Sequence, residues 1–481
     1  MDPLNLDFPS TFPALDGWGT TQPHFPSDEY HGEKAVMDGG PAEHAGNGSA
    51  LQRRLGRVAG SWSLELTCEN LAWLAVALGV IMRVWEYLEF RPLYMDESAL
   101  LANVTDRAIF DFRHLEGDQM APPGFLAVER LLVRLPLDVK VTGRLFPLFC
   151  GIASVFLIRS AARRYLDRRA VPLAVGLLAL GDHLLYYSAE IKQYSCDLMM
   201  ALAALLLAAP RPPEEPSGRR FKALAILGLI APWFSFTVVF ILAGVGLHLL
   251  VTEALRKDRR KTAMTTGICL AWLISFAGCF LLSRSIMSRR DFLWVWWNFA
   301  FLPVPPRSLA DASLLAESIA NVFINPASIL TPLTLPYTAV LASIMALIGC
   351  LSLGRRWPGG LFLVISPLFF ALAASGLHQY PFHGRLLLAL VPTFLLLLSE
   401  GVAAIGRRSG WLVTLTLAGC FLYGEAAEVF WHKAVQQRMR TFDSHGDLKN
   451  DLLDYLELQR HPPQRPRNGL VRPDPENRPT P

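Results

Sequence analysis

KALAILGLIAPWFSFTVVFILAGVGLHLLVT, residues 222–252, decides the fold. As one helix this stretch would be about 46 Å long, too long to cross a hydrocarbon core of roughly 30 Å without strong tilt. Its flanks settle how it is used. Arg219-Arg220-Lys222 precede it, and Arg256-Lys257 with Arg259-Arg260-Lys261 follow it. Basic clusters mark the cytoplasmic ends of membrane helices, so a run with both ends on that side crosses an even number of times. Pro232 supplies the break, because its ring removes a donor and clashes with the preceding turn. The run therefore reads as two short helices turning near Pro232–Ser235.

Working outward, apolar runs also lie near 70–90, 144–160, 171–188, 194–210, 262–283, 328–353, 359–376, 385–405 and 410–427, for about eleven crossings in all. The 481 residues are 52% hydrophobic and only 18% charged, and the polar share concentrates in the two ends. A soluble protein carries closer to a quarter charged residues. The reading is an all-α polytopic membrane protein: 1–60 as a disordered cytoplasmic tail, 61–430 as the transmembrane module, 431–481 as a short polar tail. No early charged stretch leads into an apolar one, so no cleaved signal peptide is expected. The net charge of +4 carries no nucleic-acid signal, because the Lys and Arg residues sit at the ends of apolar runs. The seven cysteines lie in or beside apolar runs without a CxxC pair and read as packing residues.

The same charge rule places Arg53-Arg54, Arg163-Arg164, Arg168-Arg169, Arg219-Arg220, Arg256–Lys261, Arg355-Arg356 and Arg407-Arg408 inside, with a cytoplasmic N-terminus and an extracytoplasmic C-terminus. The outer face then receives loop 91–143, residues 189–193, the turn near 233–235, loop 284–327, loop 376–384 and the C-terminal tail. Loops as long as the first and fourth are more often functional than structural. Trp294, Trp296 and Trp297 suit an interfacial aromatic belt.

The first outer loop opens RPLYMDESALLANV, placing Asp96 and Glu97 just beyond the first span. An acidic pair at a helix N-terminus is electrostatically favourable without any chemistry. The loop continues GDQMAPPGFLAVERLL, where Pro122-Pro123 suits an extended entry to a second amphipathic segment over 124–135. Asp111 and Asp118 add carboxylates that read equally well as solvated charges. Glu190 and Lys192 lie at the mouth of a helical hairpin in YYSAEIKQYS, either as an exposed turn or as groups facing a cavity. Arg385 opens an apolar helix in SGLHQYPFHGRLLLAL, where it can snorkel or bind a lipid phosphate. His378 and His383 lack a defined carboxylate partner and are weak metal ligands. Asp96-Glu97, Glu190-Lys192 and Arg385 come from three distant parts of the chain, yet sidedness assigns them to one surface. Cations that hold a leaving phosphate and a carboxylate that takes a proton are what transfer from a phospholipid-linked donor to a hydroxyl needs.

The segments YMDESALLANV, DQMAPPGFLAVERLL, GRLFPLFCGIASVFLI, YYSAEIKQYSCDLMMALAALLLA and YPFHGRLLLALVPTFLLLLSEG, spread over about residues 70–405, resemble the GT-C membrane glycosyltransferases. The likeness is to the bacterial branch related to protein O-mannosyltransferases and the lipid A aminoarabinose transferase. The resemblance implies a GT-C-like bundle in the cell inner membrane. It implies a polyprenyl-phosphate-linked sugar donor, a lipid, glycan or protein acceptor, a lumenal or periplasmic site, and inversion at the anomeric carbon. By position it makes Asp96 the catalytic base and Glu97 its motif partner. Arg385 and Lys192 become phosphate contacts, Arg144 a phosphate or structural contact, Glu190 an orienting group, and Tyr194 part of the substrate site. No cofactor is required, and a divalent metal is compatible but unsupported. Two departures stand out: the tail after about 430 is short where relatives carry a soluble domain, and the acidic N-terminal tail has no counterpart. The competing readings are a transporter or flippase of a lipid-linked saccharide, and a non-catalytic scaffold. Transporters show internal repeats and midplane charges; no clear repeat is present here.

Overall fold

The computed structural model describes residues 45–117, 119–209, 218–286, 294–329 and 335–441. The chain divides into two compact units, 1–59 and 60–481. Of the first, the helical backbone of 45–59 is described; these residues, read from composition as part of the tail, are already helical. Asp118, most of the N-terminal tail and the C-terminal tail from 442 onward lie outside the described residues.

All regular structure among the described residues is helical. The helices are α1 (Ala45–Leu88), α2 (Met95–Thr105), α3 (Pro123–Leu132), α4 (Val139–Thr142), α5 (Leu145–Tyr165), α6 (Val171–Leu180), α7 (Asp182–Tyr187) and α8 (Tyr194–Ala208). They continue as α9 (Gly218–Ile230), α10 (Val238–Leu255), α11 (Arg259–Ile286), α12 (Leu309–Ile324), α13 (Leu335–Arg356), α14 (Pro358–Gly376), α15 (Val391–Ser409) and α16 (Trp411–Thr441). Among the described residues, 8 stretches are long and apolar enough to cross a membrane: 66–88, 139–165, 238–255, 259–284, 337–356, 358–376, 384–409 and 411–433. The shorter α6, α8 and α9 occupy the other apolar runs.

The break at Pro232 is a 3-10 turn, Ala231–Trp233, between α9 and α10. The carbonyls exposed by the break find partners on α11. Ser275 Oγ donates to the Leu229 carbonyl at 2.6 Å and Cys279 Sγ to the Pro232 carbonyl at 3.1 Å. Freed backbone groups in an apolar medium need such partners. Elsewhere the bundle closes on small residues. A Cβ at Gly349 of α13 would collide with the Leu397 carbonyl, and one at Gly401 of α15 with the Met345 carbonyl, so these two helices touch backbone to backbone.

The bundle has two chemically distinct ends. Arg356 donates to the Tyr165 carbonyl at 2.7 Å and lies 3.3 Å from Glu400. Arg407 pairs with Asp167 at 3.0 Å and Glu400 at 3.3 Å. Glu400 is fully buried. Basic clusters that the sequence assigns to one side thus meet around one carboxylate. Arg144 and Arg385 lie at the other ends of the same two helical stretches, 139–165 and 384–409. Helix α5 alone separates the ends by about 30 Å.

Candidate active site

The segment 91–143 positions Asp96. Tyr94 is extended and α2 starts at Met95, so Asp96 and Glu97 fall in the first turn. Glu97 accepts from the Tyr94 amide at 3.2 Å, the carboxylate half of a capping box. Farther on, Asn103 ties the loop back on itself, donating to the Glu116 carbonyl at 2.9 Å and accepting the Glu116 amide at 2.8 Å. Pro123 opens α3 after an extended Pro122, and the helix buries Phe125 and Leu126 against the bundle. Gln119, itself buried, donates to the Gly117 carbonyl at 3.0 Å.

Glu97 is 0% exposed and saturated. Its Oε2 accepts from Arg91 at 2.8 Å, Arg144 at 3.1 Å and the Tyr94 amide. Its Oε1 accepts from Arg144 Nε and Nη2, both at 3.2 Å, and from the Ile191 amide at 3.0 Å. Burial works against ionisation, but the Arg91 and Arg144 charges prevail and hold the carboxyl below the ordinary glutamate range. Neither oxygen is open to a reacting group. Arg144 also donates to the Arg91 carbonyl at 2.9 Å, so its guanidinium belongs to this clamp. The clamp fastens α2, the start of α5 and the 189–193 segment together.

Asp96, one residue earlier, faces the other way. Its Oδ2 lies 2.5 Å from Arg385 Nη2, with 31% of its side chain and 22% of that of Arg385 exposed. Burial opposes its ionisation, and the Lys192 and Arg385 charges with a Gln119 hydrogen bond overcome that to lower its pKa. Lys192 Nζ donates to Gln119 Oε1. Burial draws the Lys192 pKa below the ordinary lysine value despite the Asp96 charge. The Arg385 guanidinium also sits over the Tyr194 ring, 5.6 Å from its centroid. Gly384, in the left-handed region at φ 49°, turns the chain into the 3-10 stretch 384–390, and Tyr380 Oη fixes that stretch through the Leu386 carbonyl at 2.9 Å.

Glu190 completes the group. It is 1% exposed, and among the described residues its Oε2 has no hydrogen-bond partner. Burial first, and the Glu97 charge second, push its pKa up to about 7. The structure therefore brings Asp96, Glu190, Lys192, Tyr194 and Arg385 around one partly open spot, and sets Glu97 and Arg144 behind it. Sequence reading missed Arg91 and Gln119. Arg91 stands in the quoted RPLYMDES motif, and the signal was that a buried Glu97 must have a cation. Nothing in the sequence marks Gln119.

The remaining candidates lie elsewhere. Asp111 pairs with the exposed Arg113 at 2.5 Å. His378 stacks on Phe301 and His383 packs on Phe299, with ring centroids 5.0 and 5.4 Å apart. Among the described residues these histidines join no metal-ligating group. Trp294 donates to the His378 carbonyl at 2.8 Å, Trp297 packs on Phe299, and Trp296 is exposed.

No family model matches the sequence, and no curated protein does. Solved structures of similar shape include the oligosaccharyltransferase of Archaeoglobus fulgidus in complex with Zn and sulfate, at 12% identity and a TM-score of 0.43, covering 79% of this chain and 56% of that one. Another is the archaeal oligosaccharyltransferase AglB from the same organism with an inhibitory peptide and a dolichol-phosphate, at 12% identity and a TM-score of 0.44, covering 81% and 60%. The chain thus spans under two thirds of the length of these neighbours. At this distance the likeness bears on neither activity nor substrate.

Proposed function

We propose that the chain is a membrane glycosyltransferase that moves a sugar from a polyprenyl-phosphate donor to a hydroxyl acceptor at the extracytoplasmic face of the cell membrane, with inversion. The observation that carries this reading is the Asp96–Arg385 contact beside Lys192. A partly open carboxylate and two cations meet there, contributed by segments far apart in the chain. The resemblance of the five sequence segments to GT-C enzymes of the bacterial branch supports it.

In this reading Arg385 and Lys192 receive the donor phosphate. A phosphate draws Arg385 from Asp96, and loss of that partner raises the basicity of Asp96 as the donor arrives. The acceptor oxygen then attacks the anomeric carbon, its proton passes to Asp96, and the bond from that carbon to the phosphate oxygen breaks. Polyprenyl phosphate leaves with the bonding electrons, neutralised by the two cations. Tyr194 supports Arg385. Glu97, Arg91 and Arg144 act as positioning residues: they orient α2 and hold the 189–193 segment against it. Glu190 faces the cations and sets the charge of the spot.

The test uses purified full-length protein with a panel of polyprenyl-phosphate-linked hexoses and pentoses and a hydroxyl acceptor mixture, reading release of free polyprenyl phosphate. Arg385→Ala should abolish release and weaken carrier binding. Full release by that variant would remove Arg385 from the phosphate site and overturn the proposed mechanism, whereas transbilayer movement of the intact lipid-linked sugar without release would replace the transferase reading with a flippase.

A further inference from the structure

We propose that Asp182, Glu428 and His432 form a divalent-cation site, suited to zinc or manganese, that staples the last helix to the segment leading into the candidate active site. Neither this cluster nor its residues belong to the machinery described above, and the inference does not depend on the glycosyltransferase reading.

The geometry comes first. One ligand atom from each of the three side chains lies within 4.8 Å of the others. His432 Nδ1 is 3.2 Å from Asp182 Oδ2. Metal–ligand bonds of about 2.0–2.2 Å put neighbouring ligands on one ion about 3.0–3.5 Å apart, so this spacing already fits two ligands of a shared cation. Nδ1 makes no hydrogen bond among the described residues, although the residue is buried to 9% exposure. Two carboxylates and an imidazole form a mixed donor set that suits zinc or manganese, with a fourth position left for water.

A separate observation concerns Glu425. On α16, residues 425, 428 and 432 follow at steps of three and four and share one helix face. Glu425 is 0% exposed, neither of its carboxylate oxygens has a hydrogen-bond partner among the described residues, and Glu428 is its electrostatic neighbour. A buried carboxylate with no donor needs a cation or a proton. Two cations of α16 and α1 are held by other groups. Lys433 Nζ bonds Glu86 at 2.7 Å and Glu89 at 2.9 Å. Arg83 donates to the Gly79 and Leu178 carbonyls at 3.0 and 2.9 Å. A divalent ion held by Glu428 would place a positive charge beside the Glu425 carboxylate.

The site also has a position that matters. Asp182 opens α7, and Leu185 of α7 packs with Met82 of α1 and Val429 of α16 in one small apolar cluster. Helix α7 runs directly into Glu190 and Lys192. A metal at its start would fix the far end of that segment to α16.

The experiment strips full-length protein with a chelator, dialyses it against zinc or manganese alone, and counts bound metal by mass spectrometry, with manganese resonance spectra as a second readout. One ion per wild-type chain is expected. His432→Gln and Glu428→Gln should each lose it, and Asp96→Asn should keep it. A wild-type chain without stoichiometric metal, or His432→Gln that binds as wild type does, overturns the proposal. So does an ion that disappears in Asp96→Asn and persists in His432→Gln. If the variants aggregate, the wild-type count and the rise of its thermal midpoint with metal decide the question.

Discussion

Replacing Asp96 by Asn should move binding and turnover in opposite directions. Asn keeps the shape of the side chain and removes the charge. In the wild type, Arg385 must leave an Asp96 oxygen 2.5 Å away before it can hold a phosphate. A hydrogen bond to a charged group is worth about 1.5–3 kcal/mol. Both partners are partly exposed, which brings the figure toward about 1–2 kcal/mol. Relief of that competition should tighten polyprenyl phosphate binding by about 5- to 30-fold. Loss of a general base costs about 10²- to 10⁴-fold in rate, a barrier rise of about 3–5.5 kcal/mol. Calorimetric titration with polyprenyl phosphate in detergent measures the first effect, and release of carrier from the sugar donor measures kcat. Weaker carrier binding in Asp96→Asn, or a kcat within a few-fold of wild type, refutes the proposed division of labour between Asp96 and Arg385.

Glu97→Gln leaves two buried guanidinium groups facing an amide, and breaking a buried pair in this way costs about 3–5 kcal/mol; thermal unfolding in detergent should show a large loss of stability. Glu190 has a folded pKa of about 7 against an ordinary 4.5, so the folded state holds the extra proton and stability should fall as pH rises across that window. Above it, the new negative charge beside Arg385 and Lys192 should weaken carrier binding; titrations from pH 5 to 8 check both effects, and Glu190→Gln should lack the steps. Gly401→Ala forces a methyl into the Met345 carbonyl and should destabilise by about 1–3 kcal/mol, whereas Gly419→Ala, with open space around it, should be neutral in the same unfolding assay.

Hydropathy made the helices legible because it is a sum over neighbours in sequence. The break at Pro232 followed from one residue and two basic flanks, and the turn lies at Ala231–Trp233. The helices of the 91–143 segment were visible from the acidic pair and from Pro122-Pro123. Residues 45–60 were not: their polar composition hid the first turns of α1. The candidate site was legible as a set of segments, but the partners of adjacent residues were not. Asp96 and Glu97 look interchangeable in the chain. Their difference arises from α2, which turns Glu97 inward to Arg91 and Arg144 while Asp96 meets Arg385, 289 residues away.

By itself, then, the sequence determined where the chain is apolar enough to span, where it must break, and which polar stretches share a side. Those properties depend on local composition and on charge at helix ends. Only the tertiary structure decided which carboxylate stays open, which arginines are already engaged, and that Asp182 meets His432 across 250 residues of chain. The physical reason is that ionisation and ligation are set by partners a few ångströms away in space, and the packing of α2, α5, α7, the 384–390 stretch and α16 selects those partners.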